Sequence, residues 1–135
     1  MKKGLTLILL LTALIISTQN ATAKKLKAYI SYYTFNTPEN KPFVETHFSI
    51  IGSSVEYKII KPGVFQGSVG ITIIFKKDNE IISADKFNLL SQEIKDTSKI
   101  DLIFLDQKRT SLPNGKYTMQ LTITDNNRII QQKQS

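Results

Sequence analysis

The middle and end of the chain alternate between apolar and polar positions. Val69, Ile71, Ile73 and Phe75 fall on one parity and Thr72, Ile74 and Lys76 on the other. Tyr117, Met119, Leu121 and Ile123 are separated by Thr118, Gln120, Thr122 and Thr124, the cleanest such run in the sequence. Side chains of an extended strand point to opposite faces in turn, so each run predicts a strand with one face in the core and one in water. Val44, Thr46, Phe48 and Ile50 oppose Glu45, His47 and Ser49 in the same way, and Ile100, Leu102 and Phe104 oppose Asp101 and Ile103. Weaker extended candidates cover residues 26–35, 54–60 and 80–90. No window carries the i, i+3, i+4, i+7 apolar stripe of a helix; a single helical turn within residues 89–99 is the most the pattern offers.

Turn residues punctuate these runs. Lys61-Pro62-Gly63 joins a residue with preset φ to one that accepts positive φ, the requirement of a type II turn. Asp78-Asn79 stands where a two-residue hairpin loop would fall. Leu112-Pro113-Asn114-Gly115 introduces the cleanest strand, and Asp125-Asn126-Asn127 turns the chain toward a returning strand from Arg128. Seven or eight short strands without crossover helices predict an all-β fold, an antiparallel immunoglobulin-like β-sandwich. An eight-stranded barrel is the alternative. With neither Cys nor Trp, the immunoglobulin likeness is one of architecture.

The N-terminus reads differently. Lys2 and Lys3 precede an apolar run over residues 5–16, interrupted by Thr6 and Thr12; Ser17 to Asn20 follow, and then Ala21-Thr22-Ala23. This is the order of a signal peptide, with a charged start, an apolar helix and a small-residue cleavage site. The run falls short of the roughly 20 apolar residues that span a bilayer. Residues 1–23 are therefore expected to be a signal peptide and residues 24–135 the β-sandwich domain, exported to the periplasm or the cell surface. No integral membrane segment is expected after cleavage.

Composition narrows the chemistry. The absence of cysteine excludes disulfides, thiolate metal sites, a cysteine nucleophile and a lipidation cysteine together. The formal charge of +7 falls by two when Lys2 and Lys3 are removed. Lys24, Lys25 and Lys27, Lys76-Lys77, Lys95, Lys99 and Lys108-Arg109 are dispersed among acidic residues. They form no basic run interleaved with aromatics, so they read as solvated surface and no nucleic acid is expected.

Several stretches carry a family resemblance. The segment from Ala28-Tyr29-Ile30-Ser31-Tyr32-Tyr33-Thr34-Phe35-Asn36-Thr37-Pro38 through Glu39-Asn40-Lys41-Pro42-Phe43-Val44-Glu45-Thr46 resembles the start of the exported GWxTD domain-containing proteins of Bacteroidetes. Phe65-Gln66-Gly67, Asp85-Lys86-Phe87-Asn88-Leu89-Leu90-Ser91 and Leu112-Pro113-Asn114-Gly115-Lys116-Tyr117 are similar to further parts of that family's leading region. The Gly-Trp-x-Thr-Asp motif itself is absent. The resemblance implies an exported bacterial protein matching only the β-rich leading region, the front part of something longer. It implies no reaction.

Candidate chemistry is sparse. His47 is the only histidine, too few for a His-based zinc site, and Gly67-Ser68-Val69-Gly70 lacks the spacing of a nucleophile elbow. No phosphate loop, dinucleotide fingerprint or calcium loop is present. No catalytic, cofactor-binding or metal residue is assigned, no cofactor is expected, and the protein is read as a non-enzyme. Glu45 and His47, two apart on one polar face, read as solvated side chains. Tyr29, Tyr33 and Phe35 share one face of the first strand and Ile30 and Tyr32 the other; one set belongs to the core, and the other forms an aromatic shelf.

Three roles are compatible with this reading. The first is a non-catalytic interaction or scaffold module, with polar-faced sheets, no deep pocket and an exposed edge strand for a protein partner. The second is a glycan- or peptide-binding module with a cleft lined by Tyr29, Tyr33 and Phe35. The third is an accessory domain of a hydrolase whose active site lies beyond residue 135.

Overall fold

The computed structural model describes residues 24–128. The expected signal peptide and the returning strand beyond Arg128 lie outside the described residues. Seven strands are present: β1 (Ala28–Asn36), β2 (Pro42–Ile51), β3 (Tyr57–Lys61), β4 (Val64–Lys77), β5 (Glu80–Leu90), β6 (Ile103–Ser111) and β7 (Thr118–Asp125). All pairings are antiparallel. One sheet has the order β1-β2-β6; the other is built on β4, which pairs with β3, β5 and β7. The two sheets stack as a β-sandwich, the predicted fold class.

β4 holds the second sheet together because its apolar alternation runs longest. Phe65 and Gly67 turn their backbone groups toward Ile94 and Ser91, on the β5 side. Ser68 turns its carbonyl to the N–H of Asn126, on the opposite edge. β5 therefore occupies one edge of β4, while β3 and β7 follow one another along the other. Val69, Ile71 and Ile73 on β4 and Phe48 and Ile50 on β2 are almost fully enclosed and form the centre of the core. Each such side chain contributes about 1.5–3 kcal/mol relative to exposure. The rings of Phe48 and Phe87 meet edge to face across the two sheets, 5.9 Å apart.

The turns follow the sequence chemistry. Gly63 sits at φ 70° after Pro62, and Asp78 and Asn79 take φ 51° and 66°. Two consecutive positive φ values give the β4–β5 hairpin a turn whose twist matches that of the strands. A short 3₁₀ turn at Thr97–Lys99 is the single helical turn expected in this region, capped by the Asp96 carboxylate accepting from the Ser98 N–H.

The strand expected around residues 100–104 lies further along. β6 begins at Ile103 and runs through Gln107, Lys108 and Arg109, a polar stretch that pairing to β2, not its own pattern, makes extended. Leu102 lies before β6 and is exposed.

The two long sides of the sandwich differ. Between β5 and β6, Lys108 Nζ lies 2.6 Å from Asp85 Oδ2 and 5.2 Å from the centre of the Phe87 ring. Between β1 and β7 the sheets stand apart. Met119, Leu121 and Ile123 face inward but are only half-buried, and Tyr32, also on the inner parity, is largely exposed.

Candidate functional site

The outer face of β1-β2-β6 is the chemically richest surface among the described residues. Registers place Tyr33, Glu45 and Arg109 side by side across the three strands, with Ser31, His47 and Gln107 in the next row. Tyr29, Ser49 and Leu105 form a third row and Phe35, Phe43 and Ser111 a fourth. All share one parity and all point away from the core.

At the centre, Glu45 accepts from Arg109 Nε at 2.6 Å and lies 2.8 Å from His47 Nε2. An ionised carboxylate only accepts, so the His47 proton sits on Nε2. Glu45 is only 9% exposed although it points outward. The Arg109 guanidinium above all, with His47 adding, holds its carboxyl below the usual carboxylate range against the opposing effect of burial. Arg109 also stands 5.3 Å over the Phe43 ring, Phe43 stacks on Phe35 at 5.2 Å, and Tyr33 meets His47 edge to face at 5.7 Å. Each Glu45 oxygen accepts from one donor, Oε2 from Arg109 and Oε1 from His47, so the cluster ties β2 to β6 on this face.

Around this cluster the face is apolar and open. Tyr29 is 69% exposed, Tyr33 55%, Phe35 46%, Ile103 55% and Leu105 69%. Of the two sets left open by the sequence, Tyr29, Tyr33 and Phe35 form the outer shelf; of the other, Ile30 packs against the core, whereas Tyr32 stays largely exposed and joins no core. The expectation of solvated side chains fails at Glu45, whose arginine partner is 64 residues away. The expectation of polar-faced sheets holds on β7, where Thr118, Gln120, Thr122 and Thr124 face out, and fails on β1-β2-β6. Leu105 was missed because β6 was placed too early.

The shelf is flat. Of its aromatics, Phe35 also borders a groove of about 370 Å³ at the end of the sandwich, lined further by Asn36, Phe43, Asn114 and Tyr117. A second cavity of about 360 Å³ lies between β1 and β7, lined by Tyr32, Thr34, Val44, Phe75, Tyr117 and Met119. Among the described residues no group of three or more His, Asp or Glu is placed to hold a metal ion, and no helix is long and apolar enough to cross a membrane.

Protein-family models, curated proteins and solved structures give no match to the chain.

Proposed function

We propose that the protein is a non-catalytic interaction module of an exported bacterial protein and that it docks a protein partner on the outer face of β1-β2-β6. One observation carries this reading: Tyr29, Tyr33, Phe35, Ile103 and Leu105 lie exposed on a single rigid face around the Glu45–Arg109–His47 cluster. Large contiguous apolar surfaces rimmed by polar groups mark interaction sites, and aromatic and arginine side chains dominate their binding energy. An open, exposed shelf suits a protein surface better than it suits a metabolite, which sites of that kind enclose in a concave pocket. The signal-peptide pattern and the likeness to the leading region of GWxTD proteins support export to the periplasm or cell surface.

The test is a double substitution. Tyr29 and Leu105 flank Ser49 in one row, and Tyr29→Lys with Leu105→Lys places two charges on the shelf without touching the core. The wild-type protein is expected to elute from gently extracted cells in a larger complex, and the variant as a free domain with an unchanged melting temperature. Equal elution of the two would overturn the reading.

A second reading has its own observation. The groove bordered by Phe35, Phe43 and Tyr117, with the Asn36 and Asn114 amides at its rim, suits a short glycan or peptide end. Chemical-shift changes confined to Tyr117 and Asn114 on titration with oligosaccharides would favour it.

A further inference from the structure

One loop of the sandwich is open to chemistry on its own backbone. An asparagine loses its side-chain amide when the nitrogen of the next residue, shedding its proton, attacks the side-chain carbonyl carbon. That nitrogen has to be free of hydrogen bonds and able to come within about 3–3.5 Å of the carbon. A glycine in the next position helps, because no Cβ stands in the way and the backbone turns freely. Asn114-Gly115 is the only Asn-Gly pair in the chain.

The fold holds the other asparagines of residues 24–128 shut. After Asn36 and Asn40, the Thr37 N–H donates to the Lys41 carbonyl and the Lys41 N–H to Thr37 Oγ1. After Asn126 and Asn127, the N–H groups of Asn127 and Arg128 donate to the carboxylate and carbonyl of Asp125. After Asn79 and Asn88, Glu80 and Leu89 stand in the β4–β5 ladder opposite Lys77 and Val69. Asn36 and Asn40 also bond each other through their amides, as do Asn88 and Asn126.

Asn114 and Gly115 differ on every count. They are exposed at the tip of the connection between β6 and β7. Tyr117 Oη donates to the Pro113 carbonyl at 2.6 Å and closes the base of this loop. Inside the closure, neither the Asn114 amide nor the Gly115 N–H has a hydrogen-bond partner among the described residues. The nucleophile and the carbonyl it would attack are neighbours in sequence, and no bond has to open before they meet.

We infer that Asn114 is a site of intramolecular deamidation. The Gly115 nitrogen gives its proton to hydroxide and bonds to Asn114 Cγ. The Cγ–Nδ2 bond breaks, and that nitrogen takes a proton from solvent and leaves as ammonia. Water then opens the five-membered succinimide at either of its carbonyl carbons. The product is an aspartate or, with the chain rerouted through Cγ, an isoaspartate. The net reaction takes up water and releases ammonia, with no oxidation or reduction. Either product puts a carboxylate on a loop bordered by the Lys77 ammonium, which stands 6.0 Å from the centre of the Tyr117 ring. Asn114 also lines the groove at the end of the sandwich, so the charge at that groove changes as the protein ages. This inference is independent of the docking face on β1-β2-β6.

The test follows the full chain at mildly alkaline pH by peptide mapping, with isoaspartyl methyltransferase labelling to count isoaspartate. Amide loss at position 114 is expected at least about tenfold faster than at any other asparagine of residues 24–128. Its rate in the folded chain is expected within about threefold of the rate in urea, since folding leaves no bond there to open. Gly115→Ala is expected to keep the amide. Its Cβ would meet the far end of the flexible Lys77 side chain at 3.2 Å, so the variant folds, which circular dichroism checks. Protection at position 114 by more than threefold on folding would overturn the inference. So would earlier amide loss at another of these asparagines, or an unchanged rate in folded Gly115→Ala.

Discussion

Thr46 offers the sharpest test of the packing. It lies on the inner face of β2 between Val44 and Phe48, fully excluded from solvent. Its hydroxyl finds no hydrogen-bond partner among the described residues. A buried hydroxyl without a partner costs about 1–3 kcal/mol in folded proteins. Thr46→Val replaces it with a methyl of nearly the same shape, keeps the β-branch that suits a strand, and adds apolar burial of about 0.8 kcal/mol. The expected result is a gain of about 1–2 kcal/mol. Each kcal/mol raises the melting temperature by about 4–8 °C in a domain of about 100 residues. Urea unfolding followed by circular dichroism measures it, and the midpoint should rise with the slope unchanged. Thr122→Val, on the exposed face of β7, is the control and should stay within about 0.5 kcal/mol of wild type. A loss of more than about 1 kcal/mol in Thr46→Val would show that the hydroxyl is bonded in the folded protein, and the inward placement of this strand face would have to be redrawn.

Three further outcomes follow from the same contacts. Gly52 donates its N–H to the Leu102 carbonyl at 3.1 Å, and a Cβ there would collide with the backbone oxygens of Ile100 and Leu102; Gly52→Ala should cost at least about 3 kcal/mol in chemical denaturation. Leu121→Asp sets a charge on the half-buried face of β7 opposite Ile73 and should lose about 2–3 kcal/mol, while Thr122→Asp should barely change the thermal melt. Glu45 is depressed chiefly by Arg109 and Asp85 chiefly by Lys108, so the stability these pairs contribute is present above the unfolded carboxylate values, about 4.3 for Glu and about 3.9 for Asp, and lost as pH falls through the lower folded values. Melting temperature should accordingly drop on acidification below these values, and Glu45→Gln with Asp85→Asn should flatten the drop.

Much of the fold is legible where one face of a strand is buried. The alternation at Val69–Phe75 marks β4 because that strand is central and its inner face is enclosed, and the 80–90 stretch gives β5 with its bounds. β6 is less legible. Its Gln107, Lys108 and Arg109 carry no apolar alternation, since one parity faces solvent and the other ends in the Lys108–Asp85 pair at the sandwich margin. The shelf is half-legible. Parity groups Tyr29, Tyr33 and Phe35, but only tertiary packing decides that Ala28 and Ile30 go inward. Burial of Glu45 depends on Arg109, a partner distant in sequence, and no local pattern encodes such a pair.

The claim that β1-β2-β6 presents the docking face is tested most directly by photo-crosslinking in living cells that produce the protein. A photoreactive residue replaces Leu105 on the shelf in one strain and Gln120, on the outer face of β7, in another. Discrete crosslinked species from position 105 and none from position 120 are the result this account predicts. Crosslinks from 120 alone, or the same species from both, would contradict it.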